Sequence, residues 1–170
     1  ATPFLLPLSS RALPLASSAY PITRSDREWS YVLSGAQYNV LRQGGTERPN
    51  SSILVGEKRP GTFNCAGCRT PLFASTAKFD SRTGWPSFGY ALEGVELSST
   101  NPAKLLVTGA GLKCKNCAGH LGDVFGDGRL FPSTPAFESG RRFCVDGCAL
   151  VFTPSDGSDE VFGDTPPPPK

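Results

Sequence analysis

The chain of 170 residues contains no methionine, one histidine and two tryptophans. It has no apolar run near the ~18 residues a membrane-spanning helix needs, so membrane insertion is not expected. Net charge is only +2 and the basic residues form no stripe, so the chain has no electrostatic footprint for nucleic acid or acidic lipid. Hydrophobic residues make up 38%, which confines a packed core to part of the chain. Glycine and proline are abundant instead, at 19 and 16 residues, and they point to short strands joined by many turns. The length suits one domain with tails.

Residues 1–23 hold Ser, Ala, Leu, Pro and one Arg and no acid. They read either as the remnant of an organellar transit peptide or as an arm docked on its own domain. Ser25 with Glu28, and Ser34 with Gln37, have capping-box form and precede apolar residues at helical spacing. Two short helices are therefore predicted over 26–43, stopped by Gly44-Gly45. From Thr46 the texture changes. Thr62–Cys65, Leu105–Val107, Gly111–Cys114 and Ala149–Phe152 read as strands of a mainly antiparallel β domain over 24–154. Residues 155–170 are acidic and then Pro-rich, the composition of a solvated, extended tail. Its four consecutive prolines also suit a groove-type partner.

Six cysteines need an explanation, because disulfide frameworks belong mostly to shorter secreted chains. Four of them form two C-x-x-C pairs, Cys65/Cys68 and Cys114/Cys117, each after a strand-like run. A C-x-x-C turn presents two thiolates to one side of an ion, and two such turns complete a tetrahedral shell at about 2.3 Å. Four thiolates leave no open position, so the pattern calls for one structural zinc rather than a catalytic one. Two disulfides or one redox pair are the alternatives.

Cys144 lies in Arg141-Arg142-Phe143-Cys144-Val145-Asp146. Arg142 would share its strand face and favour the thiolate, while Asp146 would oppose it. A buried core cysteine on a strand is the competing reading. Cys148, four residues on, would sit roughly 13 Å away along a strand at ~3.3 Å per residue, too far for a disulfide. It reads as core. His120, the lone histidine, follows the second cysteine pair, and alone it carries little weight as a catalytic group.

Gly45-Thr46-Glu47-Arg48-Pro49, Lys78-Phe79-Asp80-Ser81, Gly84-Trp85-Pro86-Ser87-Phe88, Gly119-His120-Leu121-Gly122 and Arg142-Phe143-Cys144-Val145 occur in this order around the two cysteine pairs. Together they resemble the blocks of the peptide-methionine (R)-S-oxide reductases, the methionine sulfoxide reductases of the B type, over about Ser25 to Pro154. The resemblance implies two antiparallel sheets stapled by the four-cysteine zinc site, with small helices at the N-terminus. It implies that the Cys144 thiolate attacks the sulfoxide sulfur of oxidised methionine in a protein or peptide and becomes a sulfenic acid. Trp85 and Phe88 would take the substrate side, His120 would stabilise or protonate the oxygen, Arg142 would hold the thiolate, and Asp127 would orient this shell.

Three positions depart from the family pattern. Asp123 and Asp146 stand where a second His and an Asn are common, so neutral donors become carboxyls. They either retune the acid of the site or disable it. Thr83 stands where many members have a resolving cysteine, so an outside thiol would reduce the sulfenic acid: a thioredoxin-like protein, a glutaredoxin or glutathione. The segment from Arg129 to Gly140 looks longer than usual and leads into the Cys144 strand. We expect a monomeric reductase in a plastid, with mitochondrion or cytosol as alternatives. A catalytically impaired, zinc-stapled β domain acting as a structural or interaction subunit is the second reading.

Overall fold

The computed structural model describes residues 20–169. The reading of residues 1–23 as transit peptide or arm therefore falls largely outside the described residues. Ile22 packs against the core and its N–H donates to the Asn116 carbonyl at 2.8 Å, beside the second cysteine turn. Helices α1 (Asp26–Val32) and α2 (Gly35–Leu41) form where their caps predict. Both capping boxes close, with Glu28 accepting from the Ser25 backbone at 2.7 Å and Gln37 from that of Ser34 at 3.0 Å. Each such cap stabilises its helix by about 1 kcal/mol, which matters for helices only two turns long.

The rest is two antiparallel sheets. One contains β1 (Gly61–Cys65), β2 (Pro71–Ala74), β9 (Leu150–Pro154) and β10 (Val161–Phe162) in the order β10-β9-β1-β2. The other contains β3 (Lys78–Phe79), β4 (Ser87–Phe88), β5 (Val95–Leu97), β6 (Ala110–Cys114), β7 (His120–Phe125) and β8 (Arg142–Val145), in the order β3-β4-β8-β7-β6-β5. Phenylalanines join the two faces. Phe63 and Phe73 of the first sheet meet Phe88 of the second at ring-centroid distances of 5.0 and 4.3 Å, and Phe73 meets Phe143 edge-on at 6.0 Å. Each fully buried ring contributes on the order of 2–3 kcal/mol through removal from water.

Two sequence readings are corrected. Leu105–Val107 is the end of helix α3 (Pro102–Val107), not a strand. Asn101 caps it through Ala103 N–H and Lys104 N–H, and Pro102 occupies the first turn, where its missing N–H costs nothing. This start signal outweighs three apolar residues in a row. Nor are residues 155–170 wholly a free tail. β10 extends the first sheet, Glu160 pairs with Arg69 at 2.6 Å, and the Thr165 carbonyl accepts from Ile53 N–H at 2.9 Å. Pro166–Pro169 are exposed. Among the described residues no helix is long and apolar enough to cross a membrane.

Candidate active site and metal centre

Cys65 ends β1 in the first sheet and Cys114 ends β6 in the second, so the two cysteine turns bring the sheets together at one end. The turns are built alike. Arg69 N–H donates to the Cys65 carbonyl at 2.8 Å and Ala118 N–H to that of Cys114 at 2.9 Å, and both Arg69 and Ala118 are left-handed. Their four sulfurs lie within 4.8 Å of one another, with Cys65–Cys117 at 3.7 Å and Cys68–Cys114 at 3.5 Å. A tetrahedral ion with bonds of about 2.3 Å requires sulfurs about 3.8 Å apart. The donor set therefore fits a single metal ion. Its surroundings are filled: Trp29 packs against Gly67 in the first turn, and Arg42 Nη1 donates to the Cys117 carbonyl at 2.8 Å.

Cys144 sits on β8, a central strand of the second sheet. Phe143 and Val145 face the core while Arg142 and Cys144 face outward, the alternation that places the arginine on the face of the thiol. Across from Cys144 stand Ser87 on β4 and Asp123 on β7. Gly122 makes the β7 approach possible. Its φ is 146°, and a β-carbon there would strike the Cys144 carbonyl oxygen. Cys144, Asp146, Asp123 and Trp85 line one small cleft of ≈ 100 Å³, together with Thr46, Gly122, Phe125 and Val145. Larger hollows of ≈ 670 and ≈ 500 Å³ lie elsewhere, around Asn50, Val55 and Glu57, and contain none of these groups.

Arg142 is fixed on that face. It makes a two-pronged ion pair with Asp127, at 2.8 Å from Nη2 and 3.1 Å from Nε, and its guanidinium lies over the rings of Phe125 and Phe131 at 4.7 and 5.6 Å. Phe131 belongs to the long segment before β8, which folds as a turn and the short helix α4 (Pro135–Ser139). That segment thus bears on the site through Arg142. Arg142 does pull the Cys144 thiol down, but burial pushes it up more strongly, and Asp146 and Asp123 add to the rise. The thiol ends above its ordinary value, so burial and the two carboxyls together outweigh Arg142.

Asp146 is 3% exposed and its carboxyl is pushed up to about 7, chiefly by burial, with Glu47 and Asp123 adding to it. Its Oδ1 accepts from Glu47 N–H at 2.8 Å. Glu47, to which the sequence assigns no role of its own, ties the site together. Its carboxylate accepts from Gly147 N–H at 2.5 Å and Cys148 N–H at 2.9 Å, and its carbonyl accepts from Trp85 Nε1 at 3.2 Å. No local pattern marks such a role, because its partners are about 40 and 100 residues away in sequence. Thr46, inside the Gly45–Pro49 block, and Phe125 also line the cleft, and the sequence assigns neither of them a role.

Two expected site residues stand apart. Phe88 is 0% exposed and stacked on Phe73, so it belongs to the core and does not line the cleft. His120, at the start of β7, is not among the cleft-lining residues. It is half-buried, and burial lowers its pKa while the Asp123 carboxylate pulls the other way. Cys148 is buried against α2 with its sulfur 3.7 Å from the Ala36 carbonyl, and burial pushes its thiol up.

Comparison with known proteins places this arrangement. A SelR domain matches residues 33–154. The chain is 41% identical over 137 residues to the peptide methionine sulfoxide reductase MsrB of Leifsonia xyli subsp. xyli, covering 81% of this chain and 94% of that protein. It is 43% identical over 133 residues to peptide methionine sulfoxide reductase B5 of Oryza sativa subsp. japonica, covering 78% and 91%. With B3 of Arabidopsis thaliana it shares 37% over 154 residues, covering 89% and 82%. A SelR match over most of the chain, and relatives of this similarity, mean that the protein belongs to the MsrB family of peptide methionine sulfoxide reductases.

Proposed function

We propose that this protein reduces methionine-R-sulfoxide in proteins through a Cys144 sulfenic acid that an external thiol then reduces. The observation that supports this reading is the meeting of Cys144, Trp85 and Asp146 on one cleft that none of the four clustered cysteines lines. Trp85, anchored through Nε1, offers an apolar wall to the substrate methyl group. The small cleft suits one side chain, with the rest of a polypeptide lying outside it.

Between pH ~7 and the raised thiol value, Cys144 and Asp146 hold one proton between them. In the reacting arrangement that proton is on Asp146 and the sulfur is a thiolate. The thiolate attacks the sulfoxide sulfur while Asp146 protonates the oxygen. The oxygen passes to Cys144, methionine leaves, and the enzyme holds Cys144–SOH with Asp146 ionised. One external thiol displaces water to form a mixed disulfide, and a second returns Cys144 to the thiol. Thr83 in place of a second cysteine and the buried position of Cys148 favour this one-cysteine cycle. Arg142, held by Asp127, steadies the thiolate, and His120 interacts electrostatically with Asp123.

The four cysteine thiolates would hold zinc, whose preferred tetrahedral sulfur shell they match. Its contribution there is structural. The acid-free segment 1–23 and the plant relatives favour a plastid as the compartment. Asp123 and Asp146 motivate the reading of an impaired structural subunit, but a carboxyl raised to about 7 remains a working acid at neutral pH.

A single-turnover experiment tests the cycle. With sulfoxide peptide and no reductant, one methionine per chain is expected, with the mass of one oxygen added at Cys144, and Cys148→Ser behaves alike. Formation of a Cys144–Cys148 disulfide would refute the external-thiol step.

A further inference from the structure

Ser87 stands directly across β4–β8 from Cys144, and opposed residues of an antiparallel pair project to the same side with β-carbons about 5 Å apart. Ser87 is also part of a line of hydroxyls. Its Oγ is 2.7 Å from Ser81 Oγ, which is 2.8 Å from Thr83 Oγ1, and Ser87 donates to the Trp85 carbonyl at 3.2 Å. Through this line Thr83 is tied to the strand that faces Cys144, and its hydroxyl joins Arg142 in opposing the effect of burial on the Cys144 thiol. The reaction described above uses none of these hydroxyls.

Counting protons gives the line a direction. Each hydroxyl has one proton to donate. When Cys144 is a thiol, donation can run from S–H to Thr83, to Ser81, to Ser87 and finally to the Trp85 carbonyl. When it is a thiolate, the sulfur can only accept, and the line reverses: Ser87 donates to Ser81, Ser81 to Thr83, and Thr83 to the sulfur. Only the bond to the Trp85 carbonyl is given up, and it is the longest of the three. In exchange Thr83 makes a charge-assisted bond, stronger than a neutral one.

We propose that Thr83 is a positioning residue for Cys144, its hydroxyl, backed by Ser81 and Ser87, following the sulfur from thiol to thiolate. This rests on the reading of Cys144 as the nucleophile. Asp123 from β7 and Asp146 beyond β8 both disfavour the thiolate, and Arg142 favours it while sharing its charge with Asp127. Thr83 supplies stabilisation from the β4 side without adding a charge. A position that elsewhere in the family offers a second thiol would here offer a donor to the first.

The test is the pH dependence of Cys144 alkylation by iodoacetamide, read by mass spectrometry on the full, metal-loaded chain. Thr83→Val is expected to raise the alkylation midpoint by about one pH unit, roughly tenfold in rate at a given pH below it. Thr83→Ser should return it to within a few tenths of a unit of wild type. Ser81→Ala, which leaves Thr83 in place without its donor, should raise it by a smaller amount and serves if Thr83→Val does not fold. An unmoved midpoint in the valine variant, or a serine variant no better than valine, overturns the proposal. Turnover by Cys144→Ser is measured alongside. If it is lost while the valine midpoint stays put, the proposal alone fails; if it persists, the nucleophile reading fails.

Discussion

Replacing Asp146 by Asn removes a proton and little else. The amide has the carboxyl's shape, and its oxygen can still accept from Glu47 N–H, now at 2.8 Å from Oδ1. In the wild type the carboxyl titrates at about 7 and the Cys144 thiol above its ordinary value, so the pair carries two protons below about pH 7 and one above it. The reacting form carries one. Wild-type kcat/KM should therefore climb about tenfold per pH unit up to about 7 and then stay level until the thiol itself titrates. In Asp146→Asn only the thiol is left to set the profile, so the climb should run on beyond about pH 7 until the thiol itself titrates. General acid catalysis contributes typically 10²–10⁴-fold, so a loss of at least ~100-fold at pH 8 is expected. The assay is peptide sulfoxide reduction at subsaturating substrate with excess dithiothreitol, from pH 5.5 to 10. An Asp146→Asn profile that still bends near 7, or activity at pH 8 within threefold of wild type, would refute Asp146 as the acid.

The same carboxyl makes stability pH-dependent. Its folded value lies above its unfolded one of 3.8, so its contribution is fully present below about pH 4 and is lost as pH rises through about 7. Three units correspond to at most roughly 4 kcal/mol, and urea midpoints of wild type and Asp146→Asn measured from pH 4 to 8 should diverge in that sense. Phe88→Ala should cost about 3–5 kcal/mol in denaturant unfolding, because the ring is fully buried against Phe73, and should leave KM nearly unchanged where the folded protein can be assayed. Cys114→Ser or exhaustive chelation should unfold the domain, since a structural metal supplies on the order of 10 kcal/mol against a total stability of similar size. Emission of Trp29, packed on the first cysteine turn, would shift to the red, and retention of native emission by metal-free protein would contradict the structural role.

Much of this architecture is legible in the sequence because its causes are local. Capping boxes close within three residues, so Ser25/Glu28 and Ser34/Gln37 announce both helices. The cysteine pairs announce the clip, since a C-x-x-C turn fixes two ligands within four residues. Strand alternation puts Arg142 and Cys144 on one face. What stays hidden depends on distant packing. Leu105–Val107 looks like a strand until the Asn101–Pro102 cap is given its due weight. β10 carries only two paired residues and borrows its order from β9. Phe88 sits in a site motif, yet its ring points between the sheets, and only the register of β4 against β8 reveals that. The titration of Asp146 and Cys144 is set chiefly by burial, and the residues that share their cleft come from distant segments around Thr46, Trp85 and Asp123, so nothing local to Cys144 shows that burial outweighs Arg142. Glu47 works mostly through backbone partners, which no residue pattern displays.

The most direct test of the account is turnover of R- and S-methionine sulfoxide peptides with dithiothreitol, by metal-loaded wild type and by Cys144→Ser. Reduction of the R form alone is expected, with its loss in the serine variant. Equal reduction of both forms, or an active Cys144→Ser, would contradict it, as would a folded, metal-loaded wild type that turns over neither.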